Sequence, residues 1–133
     1  DVTRVRKLCR EDALEYKAKA DAVSQAEIYK QSFAISICSA EDLPSPTVIG
    51  AQAANELLNI RGIKASFVLT DYQGKIYVSA RSIDEVNVQI IMERMGGGGH
   101  MNVAACQMEG VGIIEAIGAL KQTIDSMLEN HEI

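Results

Sequence analysis

The stretch KASFVLTDYQGKIYVSARS, residues 64–82, constrains the fold more than any other part of the chain. Two strand-like runs, Ala65–Thr70 and Lys75–Arg81, flank the link Asp71-Tyr72-Gln73-Gly74. A short polar link that ends in glycine between two such runs predicts a hairpin. In the second run Ile76, Val78 and Ala80 alternate with Tyr77, Ser79 and Arg81. Successive strand residues point to opposite faces, so the polar trio shares one face and the apolar trio the other.

The remaining patterns supply a covering for such a sheet. Ile113, Ile117, Leu120, Ile124 and Met127 recur at spacings of four, three, four and three, which predicts an amphipathic helix. FAISIC, Phe33 to Cys38, reads as a short apolar strand. Between it and the hairpin, Ser45 suits a helix cap, Pro46 the first helical position and Gly62 the stop. Ser82-Ile83-Asp84-Glu85 has the form of a capping box, predicting a helix from there to Met95 with Val86, Ile90 and Ile91 toward the core. VAACQME, Val103 to Glu109, reads as a further strand. The first thirty residues are charged and helix-forming, with Cys9, Ala13, Tyr16, Ala20 and Val23 as an apolar stripe and Arg4, Arg6, Lys7 and Arg10 before it. The expected fold is α/β, with α+β as the variant: helices on a mixed sheet of four to five strands, and a glycine-rich loop after a helix.

Composition narrows the function classes. The chain has 133 residues, of which 47% are hydrophobic, enough for one domain with a real core. A net charge of -5 opposes non-specific nucleic-acid binding. No apolar run approaches the ~20 residues of a membrane-spanning helix. Cys9, Cys38 and Cys106 are odd in number and far apart, so a disulfide framework is not expected and a reducing compartment is.

The chemistry-bearing feature is MERMGGGGHMN, Met92 to Asn102. One glycine suffices to end a helix, and four in a row cost backbone freedom. Glycines expose main-chain N–H groups and let an anion approach the backbone, and His100 adds a donor beside them. Neither GxGxxG nor the P-loop pattern is satisfied, and these glycines follow a helix rather than opening one. Arg81, with Ser79 two residues earlier on the same strand face, is the second candidate for a phosphate contact, and Asn87 a weaker third.

ISICSAEDLPSPTVIGAQAANELLNIRGIKASFVL, IYVSARSIDEVNVQIIMERMGGGGHMNVAACQ and the preceding VRKLCREDALEYKAKA together resemble the DHH-associated domain of DHH-type phosphoesterases. The SxRS segment followed by NV and GGGGH carries most of that resemblance, which covers nearly the whole chain. It points to the branch of membrane-anchored bacterial phosphodiesterases of cyclic di-AMP. Many relatives follow GGGGH with an alanine pair and a glycine, whereas this chain reads Met-Asn-Val-Ala-Ala-Cys.

The resemblance implies a division of labour. An N-terminal domain of the parent protein would hold two divalent metals, usually manganese, and the associated domain would grip the substrate. Residues 1–30 would be a linker helix from that missing domain and residues 31–133 the substrate-binding domain. Gly97, Gly98, Gly99 and His100 would cradle a phosphate, with Arg81 and Ser79 beside it. With His100 and His131 as its two histidines and no Asp-His-His motif, this chain is expected to hold no metal and no catalytic residue. Expected partners are a cyclic dinucleotide or short nucleotide, the N-terminal DHH domain of the same protein and, with the oligomeric state open, a homodimer. The domain would be cytoplasmic, without membrane contact of its own. Two other readings stay open: a nucleic-acid-binding domain of an exonuclease or oligoribonuclease, and a structural or dimerising module.

Overall fold

The computed structural model describes residues 12–133. The charged cluster Arg4, Arg6, Lys7 and Arg10, and Cys9 of the first stripe, lie outside the described residues. The elements are α1 (Ala13–Ser24), β1 (Glu27–Tyr29), β2 (Phe33–Cys38), α2 (Pro46–Leu57), β3 (Ala65–Tyr72), β4 (Lys75–Ser82), α3 (Val88–Arg94), β5 (Gly98–His100), β6 (Val103–Glu109) and α4 (Ile113–Glu129). The strands form one mixed sheet in the order β1-β2-β3-β4-β6-β5. Among the described residues only the β2–β3 pair is parallel, and α2 makes its crossover.

The hairpin β3–β4 forms as its pattern predicts. Gln73 and Gly74 at its tip both have positive φ, 51° and 81°, which suits the twist of a two-residue hairpin link. One face of the sheet carries Phe67, Leu69, Ile76 and Val78, which pack on Ile91 and Met92 of α3 and on Leu120, Ile124 and Met127 of α4. Each such side chain is fully buried, which stabilises the fold by about 1.5–3 kcal/mol per residue. On the opposite face Ile49, Ala53, Ala54 and Leu57 of α2 and Ala22 of α1 pack on Ala34, Cys38 and Val68.

Coverage of that second face is incomplete, and this positions the site. Its residues on β3, Ser66, Val68 and Thr70, are buried. Those on β4, Tyr77, Ser79 and Arg81, are half-buried, and those on β6, Val103, Ala105, Gln107 and Glu109, are largely exposed. Among the described residues the helices thus shelter β2 and β3, reach β4 in part and leave β6 and β5 uncovered.

Sequence expectations are corrected at the sheet edges, on α1 and at the starts of α2 and α3. The sheet has six strands rather than four to five, because the three-residue strands β1 and β5 line its two edges. The first-thirty helix ends at Ser24, and residues 27–29 join the sheet. On α1 the expected stripe is displaced: Tyr16 is 64% exposed, while Ala22 is buried and Ala18 and Val23 pack beside it. Finally, α3 starts at Val88, not at Ser82. Asn87 caps it, its side-chain oxygen accepting from the N–H groups of Gln89 and Ile90 at 2.9 and 3.3 Å, an arrangement worth about 1 kcal/mol. Ser82 ends β4 instead, and its hydroxyl donates to the carbonyl of Val86. Ser45 does precede α2, but its side chain makes no capping bond.

Candidate binding face

The register brings the sequence candidates onto one surface. Arg81 pairs with Val103, which pairs with His100, so these three form one row across β4, β6 and β5. Ser79, Ala105 and Gly98 form the next row on the same face. Directly opposed residues of antiparallel strands point to the same side, so Ser79, Arg81, Gly98 and His100 all face the open half. Two strand spacings separate the Arg81 and His100 backbones by about 10 Å.

The glycines divide by function. Gly96 has φ +92° and closes α3: its N–H bonds the Glu93 carbonyl at 3.1 Å, and that of Gly97 bonds the Met92 carbonyl at 2.7 Å. This is a Schellman closure, and it engages two N–H groups that a phosphate nest would need. Gly97 and Gly99 are bare because β6 lies against them. A Cβ on Gly97 would come 2.1 Å from the Ala105 carbonyl oxygen, and one on Gly99 2.6 Å from the Ala104 Cα. Gly98 differs: a Cβ there meets nothing within 4 Å. Its side is the open one, beside Ala105 and Ser79. The run read as a loop is therefore a helix closure followed by an edge strand, whose outer N–H groups have no strand partner.

Arg81 is held rather than loose. Its Nε donates to Oδ1 of Asn55 on α2 at 3.1 Å, and Nη1 donates to the Ala80 carbonyl at 2.9 Å. Two of the five donors of a guanidinium are thus used, and the rest remain for an anion. Its fixed partner is a neutral amide, so its charge stays uncompensated among the described residues. Partial burial pushes its pKa below the usual arginine range, because the charged form loses hydration. A less hydrated cation attracts phosphate more strongly.

Next to this row lies a cavity of about 710 Å³, lined by Ser79 and Gly97 and also by Thr47, Tyr77, Gln107 and Glu109. Of the sequence candidates Ser79 and Gly97 line it, whereas Arg81, Gly98, Gly99 and His100 lie outside its lining. Asn87 is committed to capping α3. The sequence reading missed Asn55, which sits in the last turn of α2, 26 positions from Arg81, with no local signal. It also missed Gln107, which alternation puts on the face of Val103 and Ala105 and which the structure shows to be exposed. Cys106 turns to the core, where burial pushes its thiol up to about 11. Among the described residues no group of three His, Cys, Asp or Glu side chains is arranged to hold a metal.

The DHHA1 domain family matches residues 31–130. The chain belongs to that family. It is 41% identical over 127 residues to the cyclic-di-AMP phosphodiesterase PdeA of Listeria monocytogenes, covering 95% of this chain and 19% of that protein. It is 38% identical over 130 residues to the cyclic-di-AMP phosphodiesterase GdpP of Geobacillus thermodenitrificans, covering 97% of this chain and 20% of the relative. This DHHA1 chain thus spans about a fifth of the length of these relatives. An exopolyphosphatase-related protein from Bacteroides fragilis superposes with a TM-score of 0.78 at 18% identity, over 89% of this chain and 36% of that one, which shows a shared fold. Among the described residues no helix is long and apolar enough to cross a membrane.

Proposed function

We propose that this DHHA1 domain is the substrate-gripping part of a phosphodiesterase that hydrolyses cyclic di-AMP. The observation that carries the reading is the shared open face of Ser79, Arg81 and His100, with Gly98 bare between them where the fold itself makes no demand for glycine. The names of the two bacterial relatives supply the substrate class.

In this reading a phosphate lies over the row of small residues Ser79, Ala105 and Gly98. The remaining donors of Arg81 form a fork on its oxygens, the Ser79 hydroxyl donates from beneath, and His100 and the outer N–H groups of β5 close the far side. Asn55 holds the guanidinium through Nε and leaves its remaining N–H groups for the phosphate. A DHH domain of the full-length protein would close over the same face, and divalent ions held there would supply the activated water for hydrolysis. Without the Asp-His-His motif, the 133-residue chain alone turns over no cyclic di-AMP in the presence of manganese.

Calorimetric titration with cyclic di-AMP tests the grip. The isolated chain is expected to bind with a dissociation constant on the order of 100 µM, since half of the clamp is missing while the association cost remains. Arg81→Gln should weaken binding at least ~10-fold, the scale of a lost charge-assisted hydrogen bond, with little change in melting temperature. Equal affinity of the two proteins would remove Arg81 from the grip, and metal-dependent hydrolysis by the chain would contradict the division of labour.

A further inference from the structure

We propose that the row Tyr77–Gln107 is a nucleobase seat, in which a purine stacks on the Tyr77 ring with its hydrogen-bonding edge toward the Gln107 amide. The inference rests on the phosphate grip proposed above and assigns a role to the part of the cavity that the grip leaves unused. That cavity is far larger than a phosphate requires, and Tyr77, Gln107 and Thr47 contribute to its wall. Tyr77 pairs directly with Gln107, so both side chains stand on the open face one row beyond Ser79 and Ala105. Successive rows on one face are about 7 Å apart, a step that suits the reach from a phosphate across a ribose to its base.

The face also has a polarity. At one end Arg81 presents an uncompensated cation. Beyond Tyr77 and Gln107 at the other end, Lys75 and Glu109 neutralise each other at 3.3 Å. A cationic end followed by an aromatic and amide end and then a closed ion pair matches a nucleotide, which is anionic at its phosphate and uncharged at its base. The Tyr77 ring is oriented by the Tyr72 ring, at 6.4 Å and tilted by 49°, while the residue as a whole remains half-buried. Among the described residues no protein group engages the Tyr77 hydroxyl or the Gln107 amide. An amide offers a donor and an acceptor side by side, the complement of adenine N6 and N7, and an aromatic ring adds sequence-tolerant stacking.

The test compares AMP with ribose 5-phosphate, which carries the same phosphate and sugar without the base, on the 133-residue chain by NMR. AMP should bind at least ~10-fold more tightly than ribose 5-phosphate, the scale of one base–aromatic stack. Its base protons should show contacts to the Tyr77 ring. Gln107→Ala, at an exposed position, and Tyr77→Leu should each pull AMP toward the affinity of ribose 5-phosphate and leave ribose 5-phosphate unchanged. Equal binding of the two ligands to the unmodified chain overturns the seat and leaves the phosphate grip intact. Binding of neither, at millimolar concentration, overturns both.

Discussion

One face of one sheet carries two kinds of hydroxyl, and the difference between them separates structure from site. On the covered half, Ser66 donates to the Ala54 carbonyl of α2 at 2.6 Å and Ser36 to the Ala22 carbonyl of α1, both fully within the packed layer. On the open half, one strand further along, Ser79 is half-buried and no protein group engages it among the described residues. The residue type and its place in the strand alternation are the same. What differs is how far α2 reaches across the sheet. A buried hydroxyl must find an acceptor inside the protein, and here it finds a helix carbonyl. An uncovered one is left for solvent or ligand.

The glycine strand sharpens this comparison with the largest effects. Gly97→Ala should destabilise the domain by about 3 kcal/mol or more, because its Cβ overlaps the β6 backbone and the backbone cannot yield cheaply. Gly98→Ala meets open space and should change stability by no more than about 1 kcal/mol, yet place a methyl group where the phosphate is expected. Chemical denaturation of the two variants measures the contrast directly. Equal destabilisation would mean that Gly98 is as structural as its neighbours.

The serines give a smaller effect. Ser66→Ala removes a buried hydrogen bond and should cost about 1 kcal/mol, whereas Ser79→Ala should stay within about 0.5 kcal/mol and weaken cyclic di-AMP binding instead. A stability loss at Ser79 that matches Ser66 would break the distinction between the two halves.

The smallest effect lies at the far edge, on β1. Tyr29 donates to Asp125 Oδ1 at 2.6 Å, and that bond, with burial and the Asp125 and Glu27 charges, pushes the phenol up to about 12. A pKa raised in the folded state favours folding while the group stays protonated. The contribution is therefore present in full below about pH 10, the unfolded value, and is lost as pH rises toward 12. Melting curves between pH 9 and 12 should fall more steeply for the unmodified chain than for Tyr29→Phe, and nucleotide binding at neutral pH should be the same for both. Parallel curves would show that the Tyr29–Asp125 bond adds nothing.

Much of this was legible in the sequence wherever a pattern was long enough to show its period. Strand β4 follows from alternation and helix α4 from the four-three spacing, while β2, β3 and β6 read as short strand-like runs. Strands β1 and β5 have three residues each, too few for any periodicity, and both are defined by pairing with a neighbour. Ser82 and Asn87 each suit a helix cap, and the choice between them is made by Val86, Met101 and Asn102, which engage the Ser82 hydroxyl. The glycine run shows the same limit. Its composition announces bare backbone, but only the register with β6 tells Gly97 and Gly99, bare for packing, from Gly98, bare toward solvent. Arg81 and Ser79 were visible as a pair through strand alternation, whereas Asn55, which orients Arg81, comes from a distant helix that sequence patterns do not connect to β4.

The central claim is that ligand engages the open half of the face and leaves the covered half alone. An amide NMR titration of the chain with cyclic di-AMP tests it most directly. Saturable shifts are expected at Ser79, Arg81, Gly97, Gly98 and His100, with Ser36, Ser66 and Thr70 unmoved. Shifts centred on the covered half, or none at millimolar ligand, would contradict it.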